Sequence, residues 1–353
     1  MNNYNAFIEI TNTCDKKCKH CFNAVFNNIN PAEISVSDFE TLILLKKKNR
    51  INRIKIVGGE PTLHSRFGKI VEILDNHNVL YDIFTDHKNI INHIETLKQC
   101  RNLGCIRIGI DGNKNVHDYI RSVGSYNELI ETIQILKSYS VPVKINYTIN
   151  KLNYGCIKEV SEMAQQIGVP ISFSVMKTCR SEFCEELMLN KNEMDSFADD
   201  LINEKDLPYE IVTNILGDLS DDKCFIRSQK TNKDSRHIGC LAGQNNCVVD
   251  VFGNIWPCSL LKGELQFNYG NVFKQSLKDI LEKMRFDWGK LRRNYDDCDK
   301  CKYNINCTGG CRSNAYYAGG ITGKDPYCFL YSNIYYELDN MKKLRMPQRK
   351  NDI

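Results

Sequence analysis

Short apolar, β-branched runs alternate with segments of helical period through about residue 205 of this chain. Phe7–Thr11, Arg53–Val57, Val79–Phe84, Ile106–Ile110, Val143–Ile149 and Ile171–Val175 each read as a strand. Ser37-Asp38-Phe39-Glu40 reads as a capping box that opens a helix through Leu42, Ile43 and Leu45. A helix is expected from about Asn89 to Gln99. A second capping box, Ser125-Tyr126-Asn127-Glu128, starts one with Leu129, Ile133 and Leu136 on a single face, and another spans Ile157 to Gln166. Strands separated by helices predict βαβ units and a parallel sheet. Six repeats are fewer than the eight of a closed barrel. Ligands of such sheets gather at the carboxyl ends of the strands, so the chemistry is expected in the loops that follow them.

From residue 240 the pattern changes to closely spaced cysteines around a predicted β-hairpin, Val248 to Pro257, with Gly253-Asn254 in its turn. Residues 185–235 are charged and asparagine-rich and read as helices and a loop bridging two domains. The expected limits are 1–205 for the barrel, 206–238 for the bridge and 239–353 for the C-terminal domain.

Composition narrows the picture. With 353 residues, 42% hydrophobic and 25% charged, the chain is an ordinary globular one, long enough for a large domain and a smaller one. A net charge of +4 is too small to argue for a nucleic-acid partner. No apolar run approaches the length that spans a membrane. The start, Met1-Asn2-Asn3-Tyr4-Asn5, lacks the regions of a signal peptide, so a cytoplasmic protein is expected. In that reducing compartment seventeen cysteines point to metal binding or catalysis rather than disulfides.

Cys14, Cys18 and Cys21 follow the first strand directly. Thiolates this close can converge on one metal centre. Structural zinc takes four closed ligands, whereas an iron–sulfur cube held by three cysteines leaves one iron open. After the second strand comes Gly58-Gly59-Glu60-Pro61: two glycines allow close backbone approach, and Glu60 can accept from an ammonium. Taken singly, these stretches also read as a zinc knuckle and a plain turn. Together, C-x3-C-x2-C and GGEP on consecutive strands resemble the radical SAM enzymes. The resemblance implies a partial (β/α)6 barrel and a 4Fe-4S cluster on the three cysteines. It implies S-adenosylmethionine chelated by the open iron, with its amino group at GGEP, and reductive cleavage to a 5′-deoxyadenosyl radical. His20 stands where the family usually has an aromatic residue, and the resemblance makes it a candidate cofactor contact.

Further along, Asp111-Gly112, His117-Asp118, Arg121 and Gly124-Ser125-Tyr126 resemble the run of the peptide- and protein-modifying branch. Asp111 and Arg121 are candidates for ribose or carboxylate binding, or form a loop-anchoring pair. Gly109 stands where a polar cofactor contact is common in the family. Asn146 points to the ligand face if its strand alternates, and is a candidate cofactor contact.

Eight C-terminal cysteines make two four-thiolate sites, which two zinc ribbons would also explain. Their spacing resembles a SPASM domain. The resemblance puts Cys240, Cys247, Cys258 and Cys311 on one auxiliary 4Fe-4S cluster and Cys298, Cys301, Cys307 and Cys328 on another, three clusters in all. It implies a peptide or protein substrate in which a thioether, a carbon–carbon crosslink, an epimerised or an oxidised residue is formed. A flavodoxin- or ferredoxin-type protein is the expected electron donor. A first cysteine at position 14 leaves no room for an N-terminal leader-binding domain, so the substrate is expected to be read by the barrel or by a separate leader-binding protein. Oxidation or decarboxylation of a small molecule or tetrapyrrole is the alternative. Sulfatase maturation ranks lower, because Ser259 stands where those enzymes carry an aspartate base.

Overall fold

The computed structural model describes residues 4–49, 51–180, 184–190, 192–194, 196–197, 240–291 and 309–327. Six strands, β1 (Tyr4–Glu9), β2 (Ile51–Val57), β3 (Leu80–Thr85), β4 (Leu103–Ile110), β5 (Val143–Ile149) and β6 (Ile171–Val175), lie side by side in chain order. Every pair among them is parallel. The expected α/β class and the six-fold βα repeat are therefore observed. The helices between them are α1 (Val36–Asn49), α2 (Phe67–Asn76), α3 (Ile94–Leu97), α4 (Lys114–Ile120), α5 (Ser125–Ser138) and α6 (Ile157–Gln166).

The alternation within each strand sorts the sheet into two faces. Ile8, Ile54, Ile56, Ile83, Ile106, Ile108, Ile145 and Phe173 lie on the face that the helices cover, and all are buried. Phe39, Ile43, Phe67, Leu74, Leu129, Ile133 and Val160 are the buried helical residues of this layer. Each such side chain contributes about 1.5–3 kcal/mol when fully buried. The other face is polar. The register aligns Phe7, Lys55, Asp82 and Cys105 across β1–β4. Phe84, Arg107 and Lys144 align across β3–β5, and Gly109, Asn146 and Ser172 across β4–β6. On this face Asp82 accepts from Arg53 at 2.5 Å and from the Cys105 amide at 3.1 Å, and it pairs with Arg107 Nε at 3.4 Å.

Three helix starts differ from expectation. The cap of α1 is Ser35, whose hydroxyl accepts from Asp38 N at 3.0 Å and donates to its carboxylate at 2.8 Å, so the capping box begins two residues before Ser37. The cap of α5 is Gly124 at φ +87°, and Ser125 is already helical. Asp118 from α4 supplies the missing acceptor, taking Gly124 N at 2.9 Å and Tyr126 N at 2.8 Å. The helix expected from Asn89 to Gln99 is a 3₁₀ segment, Ile90–His93, followed by the single turn α3.

The hairpin after Cys247 is present as β7 (Asn246–Val249) and β8 (Ile255–Trp256), antiparallel to each other. It extends the same sheet: β7 pairs in parallel with β1 from Asn5 to Ile8. Asp250 organises its turn, accepting from Phe252 N, Asn254 N, Asn254 Nδ2 and Trp256 Nε1 at 2.8–3.0 Å. The chain divides into two compact units, Met1–Met188 with Leu241–Arg292, and Leu189–Cys240 with Arg293–Ile353. Among the described residues no helix is long and apolar enough to cross a membrane.

Candidate radical and cluster site

The cysteine loop leaves the carboxyl end of β1 and is held by asparagines. Asn12 donates to Ile29 O and Asn30 O at 3.1 and 3.3 Å and accepts from Ala32 N at 2.8 Å. Asn28 clamps Cys14 on both sides, accepting from its amide at 3.1 Å and donating to its carbonyl at 2.8 Å. Asn28 has φ +59°, a left-handed conformation that asparagine tolerates better than most residues.

Cys14, Cys18 and Cys21 are free and half-buried. Burial pushes Cys14 up to about 12, with Glu60, Cys21 and Cys18 adding to the rise. Burial likewise pushes Cys18 up to about 11, with Arg121 opposing it, and raises Cys21. Desolvated thiols gathered on one loop become thiolates when a cation neutralises them, which is the chemistry of an iron–sulfur donor set. Beside the loop, His20 Nδ1, Asn23 Oδ1 and Asn27 Oδ1 are buried with no hydrogen-bond partner. Such orphaned polar atoms fit a site built for a further group. Among the described residues no three His, Cys, Asp or Glu side chains gather closely enough to hold a single metal ion.

GGEP is joined to this loop by a short ladder. Ile10 N donates to Val57 O at 3.0 Å, Gly59 N to Thr11 O at 2.8 Å and Glu60 N to Thr13 O at 2.7 Å. A Cβ at Gly58 would lie 2.6 Å from Thr11 O, and one at Gly59 would strike Thr13 O, so the glycines are what lets the two loops touch. Pro61 opens a 3₁₀ turn, Pro61–Leu63. The Glu60 carboxylate faces inward. It accepts from Thr62 N at 3.0 Å, Thr62 Oγ1 and Thr85 Oγ1 at 2.5 Å, and Asp86 N at 2.7 Å. Burial raises it to about 7 despite these four bonds. Three of these bonds fall on Oε1 and one on Oε2, and together they fix GGEP to the end of β3.

The residues from the ends of β3 and β4 form a charged lattice around the loop. Arg121 donates to Asp111 Oδ2 at 2.5 Å and to Asp86 Oδ1 at 3.1 Å. Lys16 lies 3.3 Å from Asp86, and His20 Nε2 lies 3.5 Å from Asp111. Burial alone would raise Asp86, but His87, Arg121 and Lys16 outweigh it and hold it well below the usual range. Asp111 is lowered in the same way, its burial outweighed by Arg121, His20 and His117. Burial lowers His20. Asp111 and Arg121, both named from sequence, are thus brought together as an ion pair. Asn146 lies on the polar face, with its Oδ1 3.4 Å from Arg107 Nη1.

Of the C-terminal cysteines, Cys247 is buried in β7 and pushed up to about 12 by that burial, and Cys258 follows β8 half-buried. Cys240 is half-buried. Cys311 caps the helix Arg312–Ala318, its amide donating to Asp325 Oδ2 at 2.6 Å. Cys298, Cys301, Cys307 and Cys328 lie outside the described residues. Sequence reasoning missed Asn12, Asn23, Asn28, Asp86 and Asp325, which hold the cysteine loops; isolated polar residues in turns give no pattern to find them by.

Comparison with known proteins agrees with this layout. Residues 8–164 match the radical SAM superfamily and residues 240–308 match SPASM, an iron–sulfur cluster-binding domain. The mycofactocin maturase MftC of Mycobacterium tuberculosis is 23% identical over 91% of this chain and 81% of its own length. The AdoMet-dependent heme synthase of Methanosarcina barkeri is 24% identical over 91% of this chain and 94% of its own. Among solved structures, anSMEcpe with bound AdoMet superposes with a TM-score of 0.76 at 17% identity, covering 97% of this chain and 96% of that one. Streptococcus suis SuiB bound to its precursor peptide SuiA gives 0.71 at 17% identity, over 92% and 75%. With the cysteine loop, GGEP and the parallel sheet in place, the chain carries a radical SAM domain followed by a SPASM domain.

Proposed function

We propose that this radical SAM enzyme modifies a peptide or protein. The observation that carries the reading is the ladder joining the cysteine loop to GGEP at the carboxyl ends of β1 and β2, above an inner face that is polar. The maturase name of one relative and the precursor peptide bound to SuiB support a peptide substrate.

In this reading Cys14, Cys18 and Cys21 hold a 4Fe-4S cluster, and Gly58, Gly59, Glu60 and Pro61 hold S-adenosylmethionine. Together these groups supply a carbon-centred radical able to take a substrate hydrogen. The chain's own residues prepare the site. Asn28 fixes the first cysteine, and Glu60 pins GGEP against β3. Lys16, Asp86, Arg121, Asp111 and His20 brace the loop from below, while Asn146 and Arg107 present polar groups to the barrel interior. The eight C-terminal cysteines would hold two auxiliary clusters, suited to outcomes in which the substrate loses an electron. A flavodoxin- or ferredoxin-type donor completes the proposal, with the substrate read by the barrel itself or by a separate leader-binding protein.

A second reading, oxidation or decarboxylation of a tetrapyrrole or other small molecule, is favoured by the heme synthase relative, which this chain matches along nearly all of that protein's length. One experiment separates the two. The anaerobically reconstituted enzyme is given S-adenosylmethionine, a reductant, and in turn short peptides encoded beside its gene and tetrapyrroles. A mass change in a peptide, matched by 5′-deoxyadenosine, supports the first reading. Conversion of a tetrapyrrole with every peptide unchanged supports the second.

A further inference from the structure

Cys258 is followed by one 3₁₀ turn, Ser259–Leu261. Leu261 N donates to Cys258 O at 3.2 Å and Lys262 N to Ser259 O at 3.3 Å, so Lys262 is held in a short, fixed relation to the cysteine. Its ammonium reaches back to the carboxyl end of β1, 253 residues earlier, and donates to Glu9 Oε1 at 2.6 Å. Both side chains are buried, 7% and 4% exposed. The ammonium also lies 4.5 Å from the centre of the Phe26 ring.

The same Glu9 oxygen also accepts from Asn23 Nδ2, at 2.9 Å. That amide also donates to the carbonyl of Gly58 at 3.0 Å. Asn23 lies two residues past Cys21, and Gly58 is the first residue of GGEP. An unbroken line therefore runs from the turn after Cys258 through the buried Lys262, Glu9 and Asn23 to the half-buried Gly58. It touches the auxiliary-cluster segment, the cysteine loop and the cofactor loop in turn.

We propose that Lys262 and Glu9 form a positioning latch that sets the GGEP loop for S-adenosylmethionine from the segment following Cys258. A buried carboxylate that loses its cation is destabilised and is drawn towards solvent or a proton. The Asn23 amide loses its anchor with it, and the Gly58 carbonyl is released. The latch rests on the assignment of GGEP to S-adenosylmethionine.

The test uses the full reconstituted chain and S-adenosylmethionine itself as the probe, titrated against the paramagnetic resonance signal of the reduced cluster. Iron content and melting temperature are measured alongside. Lys262→Met is expected to weaken S-adenosylmethionine binding about 10- to 100-fold, the range typical of groups that orient a ligand-binding shell, with iron content unchanged. Lys262→Arg keeps a donor and is expected to restore most of the affinity. The pair Glu9→Leu with Lys262→Met removes both charges and the acceptor for Asn23, so it folds without a stranded carboxylate but still lacks the latch, and it is expected to bind as weakly. Wild-type affinity in folded Lys262→Met, or in the double variant, overturns the proposal. So does a fall in melting temperature alone, which would make the pair merely structural. A wild type that binds no S-adenosylmethionine overturns the cofactor assignment, and the latch with it.

Discussion

The guanidinium of Arg121 fills the space that a side chain at position 109 would need: a Cβ built on Gly109 collides with Arg121 Nη2. A cation from the end of α4 stands in that volume. Arg121 is held there by Asp111 and Asp86.

This relationship fixes the sign of a double substitution. Gly109→Ala is expected to destabilise the protein by about 1–3 kcal/mol through overpacking. Arg121→Ala is expected to cost about 3–5 kcal/mol, because it strands the buried Asp111 carboxylate. In the Arg121→Ala background the alanine at 109 meets an empty space and should cost almost nothing, so the two effects are not additive. Anaerobic denaturant unfolding of the four proteins checks this. An equal cost of Gly109→Ala in both backgrounds would show that Arg121 is not what it displaces.

Asn28 does two things at once, and they can be separated. Asn28→Gly keeps the left-handed backbone and loses only the two bonds to Cys14, a cost of about 1 kcal/mol. Asn28→Ala loses the bonds and adds about 1–2 kcal/mol for the left-handed conformation. Hydrogen exchange at the Cys14 amide, which Asn28 caps, should accelerate in both variants. Iron incorporation should fall further in the alanine variant than in the glycine one.

Much of this was legible in the chain. β5 and β6 are found with the limits expected, because Lys144, Asn146, Ser172 and Ser174 alternate with apolar residues and Pro142 and Pro170 precede each strand. β1 starts three residues before the expected Phe7. Tyr4 and Asn5 do not look like strand residues, but the pairing with β2 and β7 recruits them. Ile10 and Thr11 look like strand residues, yet Thr11 leaves the ladder to bridge Glu33. Cysteine spacing and GGEP identified the site because the residue types themselves carry the chemistry. The charged inner face shows in the sequence as alternation in β2, β3 and β4. Glu9, Asn23 and Lys262 were invisible, since their roles come from partners up to 253 residues apart.

His117 gives the chain a built-in acid sensitivity. Burial, with the nearby Arg121 charge, lowers it from 6.5 to about 4 although Asp111 and Asp118 oppose the shift. Its ring nitrogen Nδ1 accepts from the Asp111 amide at 3.1 Å, which requires the neutral form. The unfolded chain binds this proton more readily than the folded one. The stabilisation is therefore complete above about pH 6.5 and is lost as pH falls towards about 4. At pH 5 the loss amounts to about 2 kcal/mol. His117→Asn keeps an acceptor for the Asp111 amide and removes the titration. Urea midpoints at pH 7.5 and pH 5 should fall less in the variant than in the wild type; an identical fall would place the acid sensitivity elsewhere.

The two groups of cysteines predict opposite phenotypes. Cys18 lies in the loop next to GGEP, and its removal leaves only Cys14 and Cys21 there. Cys18→Ala is expected to abolish release of 5′-deoxyadenosine, a loss of at least about a hundredfold, since two thiolates cannot hold a cube with a single open corner. Cys258 follows β8, outside that loop. Its replacement by alanine is expected to leave uncoupled 5′-deoxyadenosine release within about threefold of wild type while product formation stops, because in the proposed reading Cys258 would serve an auxiliary cluster that takes an electron only after the substrate hydrogen has been taken. Quantifying nucleoside and product in the same anaerobic reactions checks both. Release of 5′-deoxyadenosine by Cys18→Ala at the wild-type rate would remove the loop from the chemistry, and full product formation by Cys258→Ala would leave the C-terminal cysteines a purely structural role.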